Sequence, residues 1–135
     1  MPFVNVKIVK QQLPTEKKQK LIEGLTDLIV NIMGRERQYT VITVDELNED
    51  QWAIGGITLD RLQENKKVVS FINIKVSEGT TNEDEMAEMI RATKELMIRI
   101  LGNSEVTNYV VIDELNPAGW GFDGLSMTER RKLIQ

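Results

Sequence analysis

The apolar positions of this chain change period in a fixed order and then repeat the order. Residues 3–9 (FVNVKIV) and 71–76 (FINIKV) are rich in β-branched side chains and bounded by polar stretches, which predicts strands. Behind the first strand, Leu21, Ile22, Leu25, Leu28, Ile29, Ile32 and Met33 recur at helical spacing and form a wide apolar stripe. Behind the second, Met89, Ile90, Leu96, Met97, Ile100 and Leu101 do the same, with Thr93 where the first stripe has Leu25. Asn82 and Glu85 have capping-box spacing ahead of an acidic first turn, so the second helix should begin at Thr81 or Asn82. Gly34 and Gly102 stand where a left-handed residue closes a helix. Further strands follow at about 40–47 and 107–115.

A single offset of 68 residues aligns the two halves without a gap. Asp45-Glu46-Leu47-Asn48 falls on Asp113-Glu114-Leu115-Asn116, Gly34 on Gly102, Trp52 on Trp120 and Gly56 on Gly124. The chain therefore reads as one domain over 1–135 built from internal repeats 2–67 and 70–135, each strand–helix–strand. One helix on two strands cannot bury so wide a stripe. The copies should pair into an α+β fold, a four-stranded sheet with both helices on one face. Strands within a copy should be parallel, joined by a right-handed crossover. The other sheet face and the Trp-Gly-rich segments 52–56 and 120–124 then need cover, which self-association into a symmetric ring would give. The recurrence of Asp45-Glu46 as Asp113-Glu114 suits a role in fold or assembly better than catalysis.

Composition narrows the chemistry. A net charge of −4 argues against nucleic acid as a partner. No apolar run suits a membrane span and no leader pattern opens the chain, so a cytoplasmic location is expected. With no histidine and no cysteine, the chain cannot build a Ser-His or Cys-His nucleophile or a His/Cys metal site. An all-carboxylate Mg²⁺ or Ca²⁺ site stays possible, but no spaced acidic run resembles a calcium loop, so no metal site is expected. Proton chemistry near neutral pH is left to a perturbed Asp, Glu or Lys, or to the amino terminus.

Pro2 follows the initiator methionine, which processing normally removes before so small a residue. That leaves a secondary amine. An ordinary α-amino group titrates at about 7.7–8.0; burial or a neighbouring cation lowers that value and leaves a neutral base. Proline is also tolerated simply as the first residue of a strand. The repeat separates the two readings: the counterpart of Pro2 is Ser70, so proline appears only where it could become a free amine.

Met1-Pro2-Phe3-Val4-Asn5-Val6-Lys7-Ile8, the helix start Pro14-Thr15-Glu16-Lys17-Lys18, and Trp52-Ala53-Ile54-Gly55-Gly56 together resemble the 4-oxalocrotonate tautomerase family. The second copy is similar through Val110–Glu114 and Trp120–Arg131. The resemblance implies the tautomerase superfamily fold and a homotrimer of fused chains imitating a hexamer of single units. It implies a cofactor-free isomerase acting on a small 2-hydroxydienoate or 2-oxo acid, with Pro2 as base and then acid. Trp52 and Trp120 would form an aromatic wall. The family's arginines do not carry over: one falls near Gln12 or Leu13, the other on Val41, whose counterpart is Tyr109. Substitute cations for a substrate carboxylate are Lys10, which follows the Pro2 strand, Arg35 and Arg37 before the second strand, and Arg61, Arg130 and Arg131 after the hairpins. Two alternatives stand beside this. One is a dehalogenase, decarboxylase or hydratase using protonated Pro2 as an acid; the other is a non-catalytic assembly or binding module.

Overall fold

A computed structural model of the chain describes residues 1–10, 13–62, 68–102 and 107–134. The first copy supplies β1 (Phe3–Val9), α1 (Thr15–Met33), β2 (Val41–Leu47) and a small hairpin of β3 (Ala53–Ile54) and β4 (Ile57–Thr58). The second supplies β5 (Val69–Ser77), α2 (Glu83–Leu101), β6 (Thr107–Leu115) and the hairpin of β7 (Gly121–Phe122) and β8 (Leu125–Ser126). A third helix, α3 (Met127–Ile134), follows.

The main sheet has the order β2-β1-β5-β6. Within each copy the strands are parallel, as the crossover helices require. The copies meet through β1 and β5, which run antiparallel with Asn5 opposite Asn73 at the centre. Val4, Val6 and Ile8 from β1 and Ile72, Ile74 and Val76 from β5 share one core with Leu21, Leu25, Ile29 and Met33 of α1 and Met89, Leu96 and Met97 of α2. Both helices therefore lie on one sheet face. Gly24 lets them approach closely: a Cβ there would stand 2.6 Å from Leu96 Cδ1.

The stripe of α2 departs from expectation at one position: Ile90 is exposed, because the helix rolls toward Met89, Thr93 and Met97. Thr93 is buried, and its hydroxyl donates to the Met89 carbonyl, so no polar atom is left unpaired. The termini follow local chemistry. Asn82 caps α2 by accepting from the Glu85 amide, and Gly34 and Gly102 take φ of 66° and 65°. Both hairpins turn through two residues of positive φ, Gly55-Gly56 and Asp123-Gly124, the conformation that matches strand twist.

The open face of the sheet carries the same polar device twice. Asn5 and Lys7 donate to Asp45, and Asn73 and Lys75 donate to Asp113. These bonds hold both carboxyls below the ordinary carboxylate value, through Lys7 and then Asn5 for Asp45, and Asn73 and then Lys75 for Asp113. The repeated aspartates thus tie neighbouring strands together. Among the described residues, no helix is long and apolar enough to cross a membrane.

Candidate active site

The antiparallel pairing of β1 with β5 decides what surrounds Pro2. Because Phe3 faces Lys75 across the ladder, the head of β1 lies beside the end of β5. A cavity of about 420 Å³ opens there, lined by Met1, Pro2, Arg35, Glu36, Tyr39, Ser77, Thr80, Met127, Arg130 and Arg131 among others. A smaller annex of about 130 Å³ shares Met1, Pro2, Tyr39 and Met127 with it and adds Phe3, Gln38, Val41, Trp120, Gly121 and Phe122. Buried Pro2 sits at the junction. On one side is a polar chamber with three guanidinium groups; on the other is an apolar slot.

Arg35 and Arg130 have distinct supports. Arg35 leaves the C-terminal end of α1 just after Gly34 and donates through Nη2 to the Thr80 carbonyl at 2.9 Å and the Thr80 hydroxyl at 2.8 Å. Its Nε is buried without a protein partner among the described residues. Burial, first, and then Arg131 push the Arg35 guanidinium below its ordinary value, while Glu85 opposes. An anion between Arg35 and Arg131 would relieve both effects. Arg130 lies over the Phe122 ring, 5.1 Å from its centroid, and Phe122 meets Tyr39 edge-on at 5.8 Å. The amino group at the chain start, that of Met1, is lowered from 8.0 by burial, then by Arg35 and Arg131; Glu36 opposes them and Arg130 adds to them.

Several candidate residues fall elsewhere. Lys10 follows Val9, the last residue of β1, at the opposite end of the strand from Pro2, about 26 Å away at about 3.3 Å per residue. It cannot share the Pro2 mouth within the chain, since β1 carries it away and the end of β5 fills that place. Arg37 pairs with Asp27 at 2.6 Å on the surface and lines neither cavity; Arg35, two residues earlier, lines the larger cavity instead. Arg61 lines a separate depression with Asp50 and Asp60. Of the two tryptophans, Trp120 lines the annex and Trp52 does not. Val41 is in the annex, whereas Gln12 lies outside the described residues.

Sequence reasoning missed Tyr39, Thr80 and Phe122, and it missed α3, which carries Arg130 and Arg131. A signal for α3 exists. Ser126 and Glu129 have capping-box spacing, and each backbone amide donates to the other's side chain, at 3.2 and 3.1 Å.

The second mouth, around Ser70, is different. Ser70 is wholly buried within β5, and its hydroxyl accepts from Asn108. At the offset of 68, Arg35 corresponds to Asn103, Arg130 to Leu62 and Arg131 to Gln63. Proline and all three arginines therefore coincide at one of two equivalent positions.

Comparison with known proteins agrees with the duplicated fold. The model of a family described as tautomerase enzyme matches residues 2–60 and again 71–130. A probable tautomerase K2 of Dickeya dadantii is 45% identical over 56 residues, covering 42% of this chain and 84% of that protein. A probable tautomerase of Helicobacter pylori is 36% identical over 66 residues, 47% of this chain and 97% of its own length. The 2-hydroxymuconate tautomerase of Bacillus subtilis is 27% identical over 63 residues, 47% of this chain and all of its own. Each relative is thus a single unit aligned to less than half of this chain. Among solved structures, native fused 4-OT superposes with a TM-score of 0.83 at 20% identity, covering 98% of this chain and 99% of that one.

Proposed function

This chain belongs to the tautomerase enzyme family, and on that premise we propose that it is an isomerase of the 4-oxalocrotonate tautomerase type, with the Pro2 nitrogen as its base. Removal of Met1 exposes that nitrogen. It then shuttles a proton between oxygen and carbon of a small 2-hydroxydienoate or 2-oxo acid, without a cofactor. The observation that carries the reading is the coincidence at one mouth of the only proline that could become a terminus with Arg35, Arg130 and Arg131. A duplicated scaffold used only for assembly has no reason to gather these residues at one mouth and none of their counterparts at the other.

The roles follow from position. Arg35, anchored by Thr80 and with a free Nε, holds the substrate carboxylate, and Arg131 faces the same anion. The annex, lined by Phe3, Val41 and Phe122, takes the hydrocarbon end. Val41 stands where the family resemblance would put a second arginine, so a single carboxylate suits the site. Replacing Arg35 with Met should raise KM for 2-hydroxy-2,4-pentadienoate about 10- to 100-fold, the value of a charged hydrogen-bonded pair. Steady-state kinetics checks this, and an unchanged KM removes Arg35 from the substrate's carboxylate.

The sign of the pH dependence follows from the causes acting on the terminal amine. Burial, then Arg35 and Arg131, lower the Met1 amine from its ordinary value, and the Pro2 amine that replaces it lines the same cavity, where the same neighbours should disfavour its ammonium form. A base must be neutral, so kcat/KM should rise with pH along a limb that lies below pH 8 and then level off. Intact-mass measurement should find Met1 absent. Loss of activity at high pH would instead mark protonated Pro2 as an acid, the dehalogenase, decarboxylase or hydratase alternative. A retained Met1 would leave Pro2 an amide and end the enzymatic reading.

We infer a homotrimer as the working form. Related folds include fused 4-OT described as a symmetric trimer, with a TM-score of 0.80 at 19% identity. The uncovered sheet face here exposes Val41, Tyr109 and Val111, apolar area that assembly would bury.

A further inference from the structure

Trp120 offers more than a wall. Its indole Nε1 donates to the carbonyl oxygen of Met1 at 3.0 Å. That oxygen belongs to the amide that caps the Pro2 nitrogen, so the indole N–H points at the atom group bonded to the future base. When Met1 leaves, the acceptor leaves with it. Tryptophan can only donate. Of the side chains lining the annex, Gln38 and Tyr39 carry an oxygen, and neither accepts from the indole, whose N–H goes to Met1. A part-buried donor left without that partner is costly unless another oxygen takes it.

Resting on the proline-base reading above, the geometry points to Trp120 as a catalytic hydrogen-bond donor, its indole N–H holding the substrate's 2-oxygen while Pro2 moves the proton. The Met1 carbonyl oxygen stands in for that 2-oxygen. In ketonisation the Pro2 nitrogen takes the proton of the 2-hydroxyl. The electron pair of that O–H bond becomes the second bond of the C2 carbonyl, and the diene electrons shift to C3 or C5. The protonated proline returns the same proton to that carbon. Every atom is retained, and the indole keeps its own hydrogen throughout. Between the two transfers negative charge is largest on the 2-oxygen, and a fixed donor at that atom gains strength as the charge grows. The arginines lie on the polar side of Pro2 and serve the carboxylate; the neutral indole lies on the apolar side and serves the reacting oxygen.

The ring and its N–H can be separated. The chain has two tryptophans, so a Trp52→Phe background leaves Trp120 alone for replacement by 3-benzothienylalanine, which keeps the bicyclic shape and exchanges N–H for sulfur. Turnover of 2-hydroxy-2,4-pentadienoate is compared with the Trp52→Phe parent. Loss of one oxyanion donor should lower kcat about 10²- to 10³-fold, with KM changed less than about threefold because the bond forms chiefly with the charged intermediate. A kcat within about threefold of the parent overturns the assignment, whatever Trp120→Phe does, since only the donor was removed. Pro2→Ala in the same background separates this inference from its premise. If Pro2→Ala is fully active, the proline reading fails; if it is inactive while the benzothienyl chain is not, only the role of Trp120 falls.

Discussion

Pro2→Ala should lower enol–keto turnover by at least about 10²-fold, and by up to about 10⁴-fold, the range for deleting a positioned general base. The substitution leaves a terminal amine, but a primary one that rotates freely at the head of β1, where the pyrrolidine ring fixes the nitrogen at the junction of the two cavities. Local structure should survive. The backbone of residue 2 contributes one bond, its carbonyl accepting from the Val41 amide at 3.3 Å, and alanine makes the same bond. Kinetics on the purified variant, with circular dichroism to confirm the fold, reads the effect. Turnover equal to the parent would remove Pro2 from the chemistry and leave a duplicated scaffold with an arginine-lined cavity.

Leu25→Ala should destabilise the chain by about 2–5 kcal/mol. Leu25 is fully buried and belongs to the core that joins α1, α2 and both central strands, so the lost side chain leaves a void that rigid neighbours close only in part. Leu28 is the control. It is only partly buried against the same core, and its truncation should cost less than about 2 kcal/mol. Denaturant unfolding at one fixed chain concentration measures both, because assembly adds a concentration-dependent contribution. Equal costs at the two positions would mean that α1 presents a different face to the sheet.

What could be read from the sequence divides along the range of the interactions involved. The offset of 68, the parallel strands and the asparagine cap of α2 rest on backbone rules that act within a few residues or on hydrophobic period, and the structure agrees with each. The same holds for the glycines that close α1 and α2. The pairing of β1 with β5 is a contact between distant segments with no local signature. Lys10 was placed beside Pro2 for want of it, since the antiparallel centre of the sheet brings Ser77 and Thr80 there instead. Arg35 and Arg37 differ by two positions in an irregular connection where no period indicates direction; the short 3₁₀ turn Arg37–Tyr39 sends one to Asp27 and leaves the other facing the cavity. Helix α3 has no stripe to detect. Met127 is its sole buried residue among those described, and Leu133 and Ile134 are largely exposed.

The cavity and annex at Pro2 take Pro2 and Arg35 from the first half of the chain, and Ser77, Thr80, Trp120, Arg130 and Arg131 from the second. In a relative built from identical single units, one codon change alters every subunit, and a residue cannot be improved as a gripper in one place without appearing in all others. Fusion ends that constraint. The two halves lie in one gene but can change independently, so the first can keep Pro2 while the second changes what surrounds it, at a guaranteed one-to-one stoichiometry. The cost is in number: each such chain carries one proline mouth where two identical single units would carry two.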